Sequence, residues 1–397
     1  MTMGRVNALL LAVFIDMVGF GIVIPLLPFY AQRFGVGADT ITLIVASYTF
    51  AQFVMAPVWG RLSDRIGRRP VILITIAGTA VGYLWLALSD SLLMLVAARM
   101  FGGGVAANVA VVQAYIADVT TPEQRAKALG RLSAAFGSGF VAGPAVGGLL
   151  AGNDPALASF QLPFLAASVF SVIALIGTAR FVRESLPVHV RAGRTHDKRG
   201  RFVLLFELMR RPQVGRLIAL MFLTPFVFSA FESIFALWSE RALGWGPALN
   251  GYIYTWMGVV AVASQAGAIG PLARAVGERG LALIGALTLT AGAAWLPFAP
   301  PTVPLYAATA LVVFGVCTTN TALSTLLSKA ARPEERGTLL GVAQSWSGLG
   351  RITGPIWSGF AFVQFGQDWP FLTAAAVMLV MAGFSFTLPR ASPPARA

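Results

Sequence analysis

The sequence predicts an all-α polytopic membrane protein, with about 12 transmembrane helices in two pseudo-symmetric six-helix bundles. Three observations predict it: apolar runs of bilayer-crossing length fill the chain, cations gather in alternate loops, and a set of residues recurs 211 positions on. Of 397 residues, 57% are hydrophobic and 11% charged, and the mean hydropathy is +0.75. That leaves too little polar surface to coat a water-soluble domain. The formal net charge of +13 would suit a nucleic-acid partner, but the basic residues stand between apolar runs, where they set topology and meet anionic headgroups. The expected partners are membrane lipids and a small molecule, with no nucleic acid and no second copy of the chain.

The runs lie near residues 6–32, 41–59, 70–88, 92–117, 128–150, 159–180, 215–238, 249–272, 280–298, 303–327, 338–361 and 370–389. Each is close to the roughly 20 residues that cross the hydrocarbon core as a helix. The first is far longer than a signal-peptide core and carries Asp16, so it is expected to stay as a span. One set of loops carries Arg61, Arg65, Arg68 and Arg69, then Arg125, Lys127 and Arg131, a dense central run, Arg274 and Arg279, and Lys329, Arg332 and Arg336. The opposite set offers Arg33 and Arg241. The positive-inside rule then places both termini in the cytoplasm, in a multi-pass protein of the inner membrane.

The first cationic loop, Gly60 to Pro70, reads GRLSDRIGRRP. A topology signal needs only the arginines. Gly60 and Gly67 allow close approach and turning, and Pro70 suits the first turn of the next helix. The pattern Gly-x-Leu-x-Asp-Arg-x-Gly-Arg-Arg resembles the signature loop between spans 2 and 3 of the major facilitator superfamily of secondary transporters. The resemblance implies a cytoplasmic gate built from Gly60, Asp64, Arg65, Gly67, Arg68, Arg69 and Asp118. It implies that Arg68 pairs with Asp118 and that Asp64 caps the start of span 11 near Gly337.

The central polar stretch, Arg183 to Arg211, joins residues 1–181 to residues 214–397 as a basic linker over 182–213. The halves look like copies: Arg125, Gly130, Gly143 and Pro144 recur as Arg336, Gly341, Gly354 and Pro355, since 336−125, 341−130, 354−143 and 355−144 are all 211. Gly60, Leu62, Gly67 and Arg69 have a fainter echo 210 residues on, at Gly270, Leu272, Gly277 and Arg279. Parallel repeats of this kind place a substrate site near the bilayer midplane between the halves.

In span 5, Gly139, Gly143, Pro144, Gly147 and Gly148 form a small-residue ridge broken by a proline, which lets helices approach and bend. The spacing Gly-x-x-x-Gly-Pro-x-x-Gly-Gly resembles the span-5 signature of the drug/proton antiporters, and so implies export.

Four charges lie inside spans, where each costs at least ~2.5–3.5 kcal/mol and needs a partner, water or a role. Asp16, followed by Pro25 and Pro28, sits near mid-span. Removal from water favours its neutral form, making it a candidate proton carrier or substrate ligand as against a hydrogen-bonded structural acid. Arg99 precedes Gly102-Gly103-Gly104 and resembles the fourth-span arginine of the superfamily. It either tunes a carboxylate or makes a structural ion pair. Glu232 in span 7 is the second protonatable candidate, and Arg351 in span 11 either neutralises it or binds an anionic group. Gln113 and Asn320 are amides that hydrogen-bond either substrate or a neighbouring helix.

The span-1 aspartate, SDRIGRRPV, Tyr115-Ile116-Ala117-Asp118 and Leu237-Trp238-Ser239-Glu240-Arg241 are similar to the tetracycline-resistance exporters. Departures are Gly82, where those exporters carry a span-3 aspartate, and the lack of any acid between Glu278 and Glu334. The expectation is a proton-coupled exporter of amphipathic organic molecules, with no cofactor beyond the proton. A metabolite exporter stays open as an alternative, as does a membrane enzyme or sensor. For an enzyme the signs are poor: both histidines, His189 and His196, fall in the linker, Cys317 is alone, and no metal-binding cluster occurs.

Overall fold

In a computed structural model, residues 2–152, 154, 158–186, 211–330 and 336–386 are described. Most of the basic linker, including Arg191 to Arg210 and both histidines, lies outside them, as do Arg332 and Glu334.

Thirteen α-helices are found among the described residues. In the first half they are α1 (Thr2–Gln32), α2 (Ala38–Ile66), α3 (Arg68–Ala87), α4 (Leu92–Val105), α5 (Val109–Val119), α6 (Pro122–Ala151) and α7 (Gln161–Phe181). In the second they are α8 (Pro212–Leu243), α9 (Pro247–Ala263), α10 (Ile269–Trp295), α11 (Val303–Ala330), α12 (Arg336–Gln364) and α13 (Trp369–Ser385). Nine helical segments are long and apolar enough to cross a bilayer, and one of them, Pro247–Phe298, holds two spans either side of Gly277. With α12 and the 17-residue α13 these make up twelve spans.

Two element boundaries differ from the sequence expectation. The cationic loop is not a loop: α2 continues through Gly60 to Ile66, and Gly67 alone makes the turn at φ 110°. Beyond the apolar run nothing stops a helix until a residue must take a left-handed φ, which glycine does without a Cβ clash. Span 4 is broken at Ala106–Asn108 into α4 and α5, after three successive glycines that hold a helix weakly.

The helices are apolar on both sides, for different reasons. On α7, Phe164, Ala167 and Ala174 are buried while Val169 and Ile176 are 56% and 62% exposed. A soluble helix would carry polar residues on that outer face; here lipid solvates it.

The chain forms two compact units. One holds the described residues up to 186 together with Ala236–Gly258, and the other holds 211–235 and the described residues from Val259 on. In the first, α1 lies against α6 and α7, α3 packs on α7 and α4, and α4 also packs on α2. Its core at the Gly67 end is built from Leu9, Val13, Ile72, Ile76, Val112 and Tyr115. In the second, α10 is the centre, packed against α11 and α13.

Candidate functional site

The glycine ridge of α6 sets the position of α1. A Cβ on Gly139 would lie 2.5 Å from Met17 Cβ, and one on Gly143 would lie 2.6 Å from both Gly21 Cα and Val18 O. Gly147 approaches Ile22 in the same way, and Gly148 meets Ala248 and Gly251 of α9 within the same unit. Only bare backbone fits there. The ridge therefore clasps α1 on both sides of Asp16, with Pro144 inside the helix.

Asp16 Oδ1 is buried and has no hydrogen-bond partner. Ser171 of α7 faces the carboxylate, but its Oγ is likewise buried and unbonded. Tyr48 of α2 and Tyr83 of α3 lie within electrostatic reach of it. Arg99 is buried, with its guanidinium carbon 4.2 Å from the centroid of the Tyr48 ring. It makes no ion pair among the described residues, and its Nε is buried without a partner. Of the two readings of Arg99, the geometry gives neither an ion pair nor a direct carboxylate contact. A cation on an aromatic face, worth about 2 kcal/mol when desolvated, takes their place. Close passage of α2 makes room for this: a Cβ on Gly103 would lie 2.1 Å from Tyr48 O.

Gln113 of α5 is exposed on the wall of a groove of about 430 Å³, lined also by Ala117, Leu129, Leu132, Ser133 and Phe136. In the second unit, Gly350 and Gly354 of α12 repeat the ridge against α8, with Cβ positions 2.5 Å from Phe222 O and 2.3 Å from Phe226 O. Ser229 Oγ donates to the Arg351 carbonyl at 2.9 Å. Glu232 and Arg351 are close enough to act on each other electrostatically, as the neutralising reading of Arg351 requires. Arg351 is nevertheless exposed, and so is Asn320 on α11.

At the Gly67 end the cationic motif closes into a network. Arg68 is 5% exposed; its Nη2 lies 2.7 Å from Asp64 Oδ1 and its Nε 3.4 Å from Asp118 Oδ2, and it also donates to Ser63 Oγ. The expected Arg68–Asp118 pair is thus present, and Asp64 joins it from one turn back. Ser185 Oγ donates to Asp118 Oδ2 at 3.2 Å. Arg65 and Arg61 point outward, and Arg69 Nη2 donates to the Ala179 carbonyl at 2.8 Å.

A family model described as Major Facilitator Superfamily matches residues 9–355 and 241–397. The chain belongs to that superfamily. It is 28% identical over 379 residues to multidrug resistance protein 2 of Bacillus subtilis (strain 168), covering 95% of this chain and 93% of the relative. It is 31% identical over 390 residues to tetracycline resistance protein, class C, of Escherichia coli, covering 94% and 95%. Among solved structures, the human organic anion transporter MFSD10 (TETRAN) matches with a TM-score of 0.72 at 23% identity, over 97% of this chain and 99% of that one. The nucleoside transporter NupG matches at 0.78 and 15%, over 96% and 98%. At such identities the two structures speak for the fold alone. The membership makes this chain a membrane transporter and not an enzyme.

Two parts of this superfamily member were not legible in the sequence. Glu184, just past α7, accepts from the backbone N–H groups of Arg68 at 2.9 Å and Arg69 at 3.2 Å, and from Ser185 and Leu186 at 3.0 Å each. A carboxylate so placed caps the N-terminus of α3, where free N–H groups and the helix dipole favour an anion. Glu184→Ala should cost about 1–2 kcal/mol, seen as a lower unfolding midpoint in detergent. Glu184→Gln, which keeps an acceptor, should cost less.

The second part is a counterpart of the Arg68 network in the other half. Gly277, 210 residues after Gly67, also has a left-handed φ, of 69°. The next residue, Glu278, which lies between two spans, bonds to Lys329. Glu278 matches Arg68 (278−68 = 210) and Lys329 matches Asp118 (329−118 = 211), so the pair is kept with its charges exchanged. The Lys329 hydrogen bond holds the Glu278 carboxyl below the usual glutamate range. The pair is therefore intact at neutral pH, and its stabilisation is lost only as pH falls through that lowered value.

Proposed function

We propose that the chain is a proton-coupled exporter of small amphipathic organic molecules, of the drug or tetracycline type, working by alternating access across the cytoplasmic membrane. The observation that carries this reading is Asp16: a carboxyl oxygen inside a span, buried and without a hydrogen bond, on a helix clasped by a glycine ridge. An ionised group there costs several kcal/mol unless it is wetted or neutralised, so taking up and losing a proton is its natural chemistry. The names of relatives at 28% and 31% identity, multidrug and tetracycline resistance proteins, support the choice of export and of substrate class. In this reading Asp16 or Glu232 takes up and releases the proton, Arg99 holds the Tyr48 face beside Asp16, and Gln113 or Asn320 offers an amide to the substrate. The Arg68 network, in which Asp64 and Asp118 hold one guanidinium, gates the cytoplasmic side. The proton is the only cofactor. The test is substrate flux in reconstituted vesicles with an imposed pH gradient: flux that follows the gradient supports the reading, and flux indifferent to it removes the coupling.

A second reading is favoured by one observation. Arg351 stays exposed although Glu232 acts on it, so its guanidinium has donors left for an anionic group of an endogenous metabolite. On this reading Arg351→Ala abolishes export of anionic compounds and spares neutral ones by about tenfold or more, the value of one charge-assisted hydrogen bond. Equal loss for both classes would return Arg351 to the role of counter-ion for Glu232.

A further inference from the structure

We propose that Asn108 holds a single water against Asp16, and that Phe136 is the door between this water and the groove lined by Gln113. The proposal rests on the reading of Asp16 as the proton carrier and supplies the route by which its proton leaves.

A cavity of about 20 Å³ adjoins Asp16, and ten residues line it, of which only Asp16 and Asn108 are polar. A space of at least ~10–15 Å³ that offers two or more polar partners is one a water occupies. Asp16 provides one partner, the unbonded Oδ1. Asn108 provides the other, and its orientation follows from a chain of hydrogen bonds. Thr75 Oγ1 donates its one proton to the Ile72 carbonyl at 3.0 Å, so toward Asn108 it can only accept. The Asn108 amide must therefore turn its Nδ2 to Thr75, at 2.8 Å. Its Oδ1 is left as the acceptor that a water donates to. Asn108 stands at the break of span 4, Ala106–Asn108.

The cavity also has a direction. Its α1 wall is Leu9, Ala12, Val13, Asp16 and Met17, so it extends from Asp16 toward the N-terminal end of α1, the side assigned to the cytoplasm. Phe136 of α6 lines this cavity and also the 430 Å³ groove that holds Gln113 and Ser133. Phe136 is the one residue that lines both spaces. In the step proposed, the O–H bond of protonated Asp16 breaks and its electron pair stays on the carboxylate. The proton joins the water oxygen, which passes one of its own protons to groove water when Phe136 swings aside. The titratable side chains within electrostatic reach of Asp16 are Tyr48 and Tyr83, on α2 and α3, and the Arg99 guanidinium of α4 lies over the Tyr48 ring. None of them lines either space, so they leave this path to Asn108 and Phe136.

The experiment uses the full chain in lipid vesicles and infrared difference spectroscopy. The protonated-carboxyl band missing from Asp16→Asn identifies Asp16, and its shift on transfer to deuterated water gives the exchange rate of that proton. Asn108→Leu, of similar volume and without an acceptor, is expected to slow exchange by about tenfold or more, the equivalent of one hydrogen bond lost to a charged centre. Phe136→Ala is expected to speed it by a similar factor. Should Asn108→Leu not fold, Thr75→Val, which frees the amide to rotate, is expected to slow exchange in the same sense. Wild-type exchange in both the Asn108 or Thr75 variant and the Phe136 variant overturns the proposal. If Asp16→Asn itself still answers to a pH gradient, the fault lies with the proposed function, and the exchange rates still decide whether the water path exists.

Discussion

Asp16→Asn reaches the membrane folded, binds substrate and no longer accumulates it against a pH gradient: this is the first expected result. The substitution keeps the shape of the side chain and removes the proton equilibrium. Its surroundings penalise it little, since an amide oxygen can still accept from Ser171 or the cavity water and a neutral amide is cheaper in a span than a carboxylate. The unfolding midpoint in detergent should therefore be equal to or higher than that of the wild type. Transport carries the whole effect. For each proton coupled, one pH unit of gradient supports about a tenfold concentration ratio of substrate, because one unit is worth about 1.4 kcal/mol. In the variant that ratio should fall to about one while passive exchange continues. Measuring accumulation and counterflow side by side separates the two. A folded Asp16→Asn protein that keeps its accumulation ratio would move coupling off α1, and Glu232→Gln is the next variant in which to look for it.

What could be seen in the sequence, and what could not, follows from the range of the forces involved. Hydropathy over 20 residues is local, so all twelve spans were visible, including α12 and α13, whose length or polarity sets them apart from the others. Helix ends are not local. α2 outruns its apolar stretch by seven residues, from Gly60 to Ile66, because hydrated backbone stays helical until Gly67 takes a left-handed φ. The Arg68–Asp118 pair was legible only through resemblance, as its members stand 50 residues apart. Glu184 acts through backbone N–H groups 116 and 115 residues away, and contacts to backbone impose no pattern on the partner's side chain. The Glu278–Lys329 pair sat inside a repeat already recognised, but an exchanged charge pair shares no identity with its copy. The signal is a complementary charge pair at the two offsets of the repeat, 210 for Arg68 to Glu278 and 211 for Asp118 to Lys329. Arg99 stood beside three glycines, and that was a signal: the glycines admit Tyr48, whose ring then receives the guanidinium.

Gly143→Val should be the most damaging single change outside the charged residues, and its neighbours on α6 show why. A Cβ at 143 would lie 2.6 Å from Val18 O and from Gly21 Cα, and both are backbone, so no rotamer can yield. α1 and α6 would have to separate by roughly an ångström, along a face that also contains Gly139 and Gly147 and that fixes the depth of Asp16. Overpacking of this kind costs about 1–3 kcal/mol where side chains can shift, and more where they cannot. The unfolding midpoint should fall steeply for Gly143→Val and measurably for Gly143→Ala, and pH-driven accumulation should be lost in both. Gly130, earlier on the same helix, has nothing within 4 Å of its Cβ position. Gly130→Ala should therefore raise the midpoint, since alanine is about 0.8–1.0 kcal/mol better than glycine inside a helix. The same contrast recurs 211 residues on. Gly354, 2.3 Å from Phe226 O, should respond like Gly143, and Gly341, with open space around it, like Gly130. If all four alanine variants lost stability alike, the glycines would be acting through backbone flexibility and not through close approach. The clasp on α1 would then no longer explain where Asp16 sits.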